Sequence, residues 1–252
     1  MRVYLIDYTG MGHEDPYFAA RKLINAKNTR ISKSQQKHME QHLDDDDYKL
    51  MKDELHKVAM SIRSSWEFVS YTFKIEDISR ACCDQMTRSR VGCSFAVMAQ
   101  RVVDNSHFEY VVPETIIKSK LAVEFLAHMK DVAGFYRDLI REGIPAQDAR
   151  SVLPMATYSP LTAEYNLRAL AGIVAKRSNL RAQGEYAEVA EQMKACVLEV
   201  HPWAEIFLDP ERTRTPALEG ILKQALGDGS PVDKPELNDA LKELDLLKAT
   251  WD

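Results

Sequence analysis

The stretch TRSRVGCSFAVMAQR, residues 87–101, sets Arg88, Arg90 and Arg101 around an apolar run with no acidic residue among them. A second acid-free stretch, YNLRALAGIVAKRSNLRAQ at 165–183, carries Arg168, Lys176, Arg177 and Arg181. A guanidinium is planar, always charged and offers a fork of donors that matches phosphate, so two such segments suit a convergent anion site. The same residues also suit helix C-terminal caps or bridges to distant acids. With Tyr165 and Tyr186 they suit, in principle, a stacking groove for single-stranded nucleic acid. Spacing alone leaves these readings open. Other chemistry is thin: there is no GxGxxG, no P-loop and no HExxH. The 7 histidines show no metal-ligand spacing, and Cys82, Cys83, Cys93 and Cys196 form no CxxC pair, so no metal site is indicated. Cys93 is a conceivable nucleophile, but a cysteine beside Phe and Val reads first as a small core residue.

Composition narrows the classes. The chain has 252 residues, 45% hydrophobic and 28% charged, which is ordinary for a soluble domain with a sizeable core. A net charge of −5 weighs against a general nucleic-acid binder, whose footprint is basic. MRVYLIDYTG is too short an apolar run for a signal peptide, and no segment approaches the ~20 apolar residues of a membrane helix. The expectation is a cytoplasmic protein with reduced thiols and no membrane partner.

These residues need elements to hold them. RVYLI at 2–6 reads as a strand ended by a glycine-containing turn, and WEFVSYTFKIED at 66–77 as the strongest strand. ISRACCDQMTR at 78–88 reads as a short helix. LDDDDYK at 43–49 reads as a loop or a helix N-terminus, where acids are favoured. Apolar positions Leu121, Phe125, Met129, Val132 and Phe135 predict a helix over 115–142, ending near Gly143. Pro145 opens another short helix and Pro154 stops it. Helices at 162–176 and 185–199 follow. The fold class is mixed α/β (α+β), a central sheet flanked by helices. Residues 1–209 form the main domain, and the Pro- and Gly-punctuated 210–252 reads as a helical C-terminal extension.

The order of several segments resembles the flavin-dependent thymidylate synthase family. SRACCDQMTRSRVGCSFAVMAQR, 79–101, is similar to that family's helix leading into RHRxxSxNxxSxR. SSWEFVSYTFKI, 64–75, resembles its (S/T)xxEHxxFTFxI strand, and REGIPAQDARSVLP, 141–154, its ExGxPxxxARxxLP segment. YNLRALAGIVAKRSNLRAQGE, 165–185, resembles its NxRxLxxFLxxRxxxxAQxE helix, and HPW at 201–203 a late (C/H)PW signature. The resemblance covers residues 60–208.

What it implies is specific. Such enzymes are homotetramers with sites built from several subunits. They carry FAD reduced by NADPH, take their carbon from methylenetetrahydrofolate, and methylate uracil at C5 without a cysteine nucleophile. By position, Gln85, Arg88, Ala99, Arg101, Arg150 and Arg177 fall at nucleotide sites, with Arg177 beside the uracil N3 and O4 edge. Ser64, Arg88, Ser89, Arg90, Asn166, Arg168 and Arg181 fall at FAD sites. The hallmark is altered: its central histidine is Ser89, one extra residue lies between Arg90 and Arg101, and counting back from Arg101 its second serine is Ala99 and its asparagine Ala96. A histidine of the preceding helix is Asp84, an asparagine falls at Gly172, and a late histidine at Arg181. The UMP/dUMP methylase branch associated with nucleoside antibiotics is such a divergent group, and the small residues at Ala96 and Ala99 would leave room for a ribose 2′-OH. The expected function is flavin-dependent C5-methylation of UMP or dUMP, with a non-catalytic nucleotide-binding homologue as the alternative.

Overall fold

Alternation with period two builds the centre of the sheet. In β2, Ser70–Glu76, the side chains of Tyr71, Phe73 and Ile75 are fully buried while Lys74 is exposed. The computed structural model describes residues 1–27, 45–61, 63–101, 108–177 and 184–208. β1 (Arg2–Tyr8), β3 (Cys93–Val97) and β4 (Leu161–Asn166) complete a sheet of order β1-β2-β4-β3, with every pairing antiparallel. Leu5, Phe73, Ala163 and Phe95 stand in one cross-sheet row on the core face. Tyr4, Lys74, Thr162 and Ala96 stand in the adjacent row on the open face.

Two helices cover the core face. α7 (Leu167–Arg177) buries Leu167, Leu170, Ala171, Ile173 and Val174, and α8 (Gly184–Val200) buries Tyr186, Val189, Ala190, Met193 and Val197. These positions recur at helical spacing, so each helix turns one apolar stripe to the sheet. α1 (Phe18–Lys27) and α2 (Asp45–Ala59) close one end with a 3₁₀ turn at Arg63–Phe68, and α3 (Arg80–Met86) packs against α8. The HPW signature is part of this core. His201 and Trp203 are buried, and Trp203 and Trp66 both meet Phe207 of α9 (Glu205–Leu208) edge-on.

The expected strand at 66–77 begins only at Ser70, after the 3₁₀ turn. The expected helix over 162–176 is a correction. Its first five residues, 162–166, belong to β4, and the helix starts at Leu167. Leu161, Ala163 and Tyr165 alternate with Thr162, Glu164 and Asn166, but six residues of period two were hidden by the helical run that follows. β3 was likewise read only as an apolar run, because its five residues lie inside the arginine segment. The helix expected over 115–142 is two, α4 (Glu114–Ile117) and α5 (Ala122–Arg141), interrupted around Ser119, whose hydroxyl bonds the Ile116 carbonyl and the Leu121 amide. α5 stands outside the main core. It packs on α4, on α6 (Ala146–Ala149) and on the turn at Arg150–Val152, burying only Met129 and Tyr136. The acidic run overlaps the start of α2 at Asp45, and residues 210–252 lie outside the described residues.

Candidate functional site

Helix α3 is held at its N-terminus by three segments. Ser79 is its N-cap, accepting from the Cys82 amide at 3.1 Å, and the Arg80 and Ala81 amides donate to the carbonyls of Thr157 and Met155. Glu185, in the first turn of α8, accepts both the Ser79 amide and the Ser79 hydroxyl at 2.6 Å. Cys82, Cys83 and Met86 face the core, which leaves Gln85 half-buried at the rim. Arg88 and Arg90 then emerge from the end of α3 into solvent.

Arg177 closes the C-terminal end of α7 with its guanidinium carbon 4.1 Å from the centroid of the Tyr186 ring. That ring belongs to the turn of α8 that clamps α3, so Arg177 and the segment carrying Gln85 and Arg88 share one support. The Tyr186 hydroxyl is buried without a hydrogen bond, and burial pushes its ionisation up to about 12, opposed by Arg177 and by the nearby Ser89 hydroxyl. Loop 88–92 therefore passes Tyr186 at Ser89. It ends at Gly92, whose carbonyl accepts the Asn166 amide at 2.9 Å. Asn166 lies at the other end of α7 and caps it, accepting from the Ala169 amide at 2.9 Å. Gly92 has φ +72, and a Cβ there would lie 2.5 Å from Asn166 Nδ2. Glycine is required twice over at this crossing, by backbone conformation and by space. The loop thus links two groups of expected residues, set ~16 Å apart along α7 at 1.5 Å per residue.

At the Asn166 end, a cleft of about 410 Å³ opens beside the sheet's uncovered face. Lys22, Glu67, Phe68, Ser94, Glu164 and Asn166 are among its walls. Its size is within the range of small-molecule sites. Ser64 is exposed in the adjoining 3₁₀ turn, and Arg168 makes an ion pair with Glu67 at 2.6 Å. Arg88, Arg90 and Arg101 have no acidic partner among the described residues, whereas Arg168 does. Among the described residues, the bland alternative of bridges to distant acids thus holds for Arg168 alone of these four.

Arg101 is exposed beyond β3, and Ala96 and Ala99 are exposed beside it. Arg150 is exposed on the turn after α6, its Nε donating to the Gln147 carbonyl at 3.1 Å. Arg181 lies outside the described residues. Sequence reasoning missed Lys22, Phe68, Ser94 and Glu164 as cleft walls. Phe68 sat inside the quoted strand-entry motif, but Lys22 lies on a distant helix with no local signal. Burial raises the thiols of Cys82, Cys83, Cys93 and Cys196, which disfavours the reactive thiolate at each of them. Among the described residues, no helix is long and apolar enough to cross a membrane.

Comparison with known proteins bears on the family and the fold. The family profile described as "Thymidylate synthase complementing protein" matches residues 4–203. A flavin-dependent thymidylate synthase of Nitratidesulfovibrio vulgaris is 41% identical over 145 residues, which is 54% of this chain and 59% of that one. The enzyme of the same name from Saccharolobus solfataricus is 30% identical over 203 residues, covering 79% of this chain and 74% of that one. The chain thus spans little more than half the length of some of the relatives it matches. In structure it is similar to a UMP/dUMP methylase, PolB, from Streptomyces cacaoi bound with 5-Br dUMP, with TM-score 0.66 at 21% identity over 82% of this chain and 94% of that one. It is also similar to a flavin-dependent thymidylate synthase from Helicobacter pylori complexed with FAD and dUMP, with TM-score 0.61 at 20% identity over 83% of this chain and 100% of that one.

Proposed function

The chain belongs to the thymidylate synthase complementing protein family, and from that premise we propose that it catalyses flavin-dependent reductive C5-methylation of a uracil nucleotide, UMP or dUMP, with methylenetetrahydrofolate as carbon donor. The observation that carries the reading is the pairing of Arg177, stacked on Tyr186, with a loop whose Arg88 and Arg90 face solvent without acidic partners among the described residues. Cations left unpaired at the rim of a fold are available to an anionic ligand. In this reading Arg88, Arg101 and Arg150 hold the phosphate, Gln85 lies against the nucleotide, and Arg177 faces the N3–O4 edge. A fixed positive charge at that edge favours the N3-deprotonated and more nucleophilic uracil.

The residues present fit a flavin. Asn166 lines the cleft while its oxygen caps α7, Ser94 adds a hydroxyl there, and Arg90 is exposed with no acidic partner among the described residues. Ser64, Arg88, Ser89, Arg168 and Arg181 complete the proposed FAD set, with Arg168 shared with Glu67. Bound FAD, reduced by NADPH, supplies the hydride that completes the methyl group.

The assembly proposed is a homotetramer with shared sites. Its support is α5, which with its N-cap exposes Leu121, Val123, Leu126 and Phe135 while carrying the unit that ends at Arg150. A cytoplasmic location and a role in nucleotide supply or in making a nucleoside antibiotic belong to the same proposal. The test incubates the protein with FAD, NADPH, methylenetetrahydrofolate and either nucleotide, and weighs the products by mass spectrometry. One added methyl group on UMP makes it a methylase tolerant of the ribose 2′-OH, as small Ala96 and Ala99 favour. A methyl group on dUMP alone makes it a divergent thymidylate synthase. No methyl group on either, with nucleotide still bound, overturns the enzyme reading in favour of a binding homologue.

A further inference from the structure

We propose that the first turn of α8 is the positioning device of the nucleotide site: the Tyr186 ring fixes the plane of the Arg177 guanidinium, while Glu185 ties that turn to the N-cap of α3. The inference rests on the reading of Arg177 given above. Three observations converge on it. The Arg177 guanidinium carbon lies 4.1 Å from the Tyr186 centroid, within the range of a cation–π contact. Tyr186 is fully buried, so its ring has one place to be, and an arginine lying over it loses the swing of an exposed side chain. Glu185 takes two 2.6 Å hydrogen bonds from Ser79, the residue that starts the helix bearing Gln85.

Arg177 and Gln85 are 92 positions apart in sequence on different helices. What sets their spacing is therefore a third element, and residues 185–186 touch both sides. The acceptors matter as well as the geometry. The Glu185 carboxylate has both oxygens engaged by Ser79, and Arg177 makes no ion pair among the described residues, which leaves its charge for a ligand. The Tyr186 hydroxyl lies near Ser89 without a well-formed hydrogen bond, and the contact with Arg177 is made by the ring. The ring face, not the phenol, is the working part.

Tyr186→Phe keeps the face and Tyr186→Leu removes it. With the holoenzyme, the leucine variant is expected to lower the rate of uracil methylation roughly tenfold, the scale of a desolvated cation–π contact, while changing the calorimetric Kd for dUMP by less than about twofold. The phenylalanine variant is expected to match the parent. The ultraviolet spectrum of bound 5-fluoro-dUMP reads N3 ionisation without turnover, and its transition should move toward that of the free nucleotide in Tyr186→Leu but not in Tyr186→Phe. On an Arg177→Ala background, Tyr186→Leu should add no further loss. Tyr186→Met asks the same question if the leucine variant fails to fold.

Equal losses in the Phe and Leu variants would overturn the proposal, as would a fully active Leu variant or losses that multiply with Arg177→Ala. In those cases the role of Arg177 stands. A fully active Arg177→Ala overturns that role and this inference together. Glu185→Gln tests the other half. It should raise the Kd for dUMP, because Gln85 and Arg88 ride on α3, and an unchanged Kd would limit the device to Tyr186.

Discussion

Arg177 differs from the other expected cations in how it is held. Arg88, Arg90 and Arg101 reach into solvent, whereas Arg177 is half-buried over an immobile ring. Rim cations that meet a phosphate contribute mainly to binding, while a preorganised charge beside the reacting ring contributes where charge develops. Arg177→Ala is therefore expected to lower the rate of methylation by roughly 10²-fold, with a much smaller change in nucleotide Kd. Steady-state kinetics set beside calorimetry check this, and equal losses in both would reduce Arg177 to a binding residue. The cysteines make the opposite case. Burial holds the Cys93 thiol up, and it donates to the Val91 carbonyl at 3.4 Å. Cys93→Ser should keep activity within about threefold, and loss of all turnover would restore a nucleophile.

At the scale of elements, the crossing of the loop at Gly92 over the start of α7 joins the two halves of the site. Its left-handed conformation and the 2.5 Å approach of Asn166 Nδ2 leave no room for a side chain. Gly92→Ala meets a left-handed penalty of about 1 kcal/mol and displaces an N-cap worth about another. The expected loss is roughly 2 kcal/mol of stability in urea unfolding, with weakened FAD binding. This element was only half legible from sequence. The arginines were visible because charge without acids stands out in any window. The strand between them was not, because its five residues pair with β4, itself concealed in a helical pattern. Strand assignment there depended on a partner about 70 residues away, and local propensity is a weak guide in that situation.

The whole molecule sets two further behaviours. His201 is buried between Tyr8, Tyr71 and Trp203, its Nδ1 3.1 Å from the Tyr71 hydroxyl, and burial lowers its pKa to about 4. The unfolded chain takes up a proton below the ordinary 6.5 that the folded protein refuses, so stability present above pH 6.5 is lost as pH falls toward 4. The amount is about 3 kcal/mol at most. Urea midpoints should fall across that window, and His201→Gln should flatten the slope; an unchanged slope would mean that the imidazole does not titrate there. The second behaviour concerns α5, where Val123 is 75% exposed and Phe135 55%. Apolar side chains on a helix outside the main core are expected to be covered by another copy. Phe135→Glu should dissociate the proposed tetramer in sedimentation velocity. Since Arg150 is on the same unit, it should also abolish methylation; an intact tetramer would place the interface elsewhere.

By itself the sequence determined the chemistry on offer. Acid-free arginine segments, the absence of metal and nucleophile patterns, the period-two run at 70–76 and the ordered motifs through residue 203 are local properties, readable from side-chain type and spacing. Tertiary structure alone decided which of those residues meet. Arg177 finds Tyr186 across a helix–helix contact, Ser79 finds Glu185 across 106 positions, and Arg168 finds Glu67 across 101. Each pairing depends on how far the chain is folded back by the sheet, a long-range quantity that no window of sequence contains.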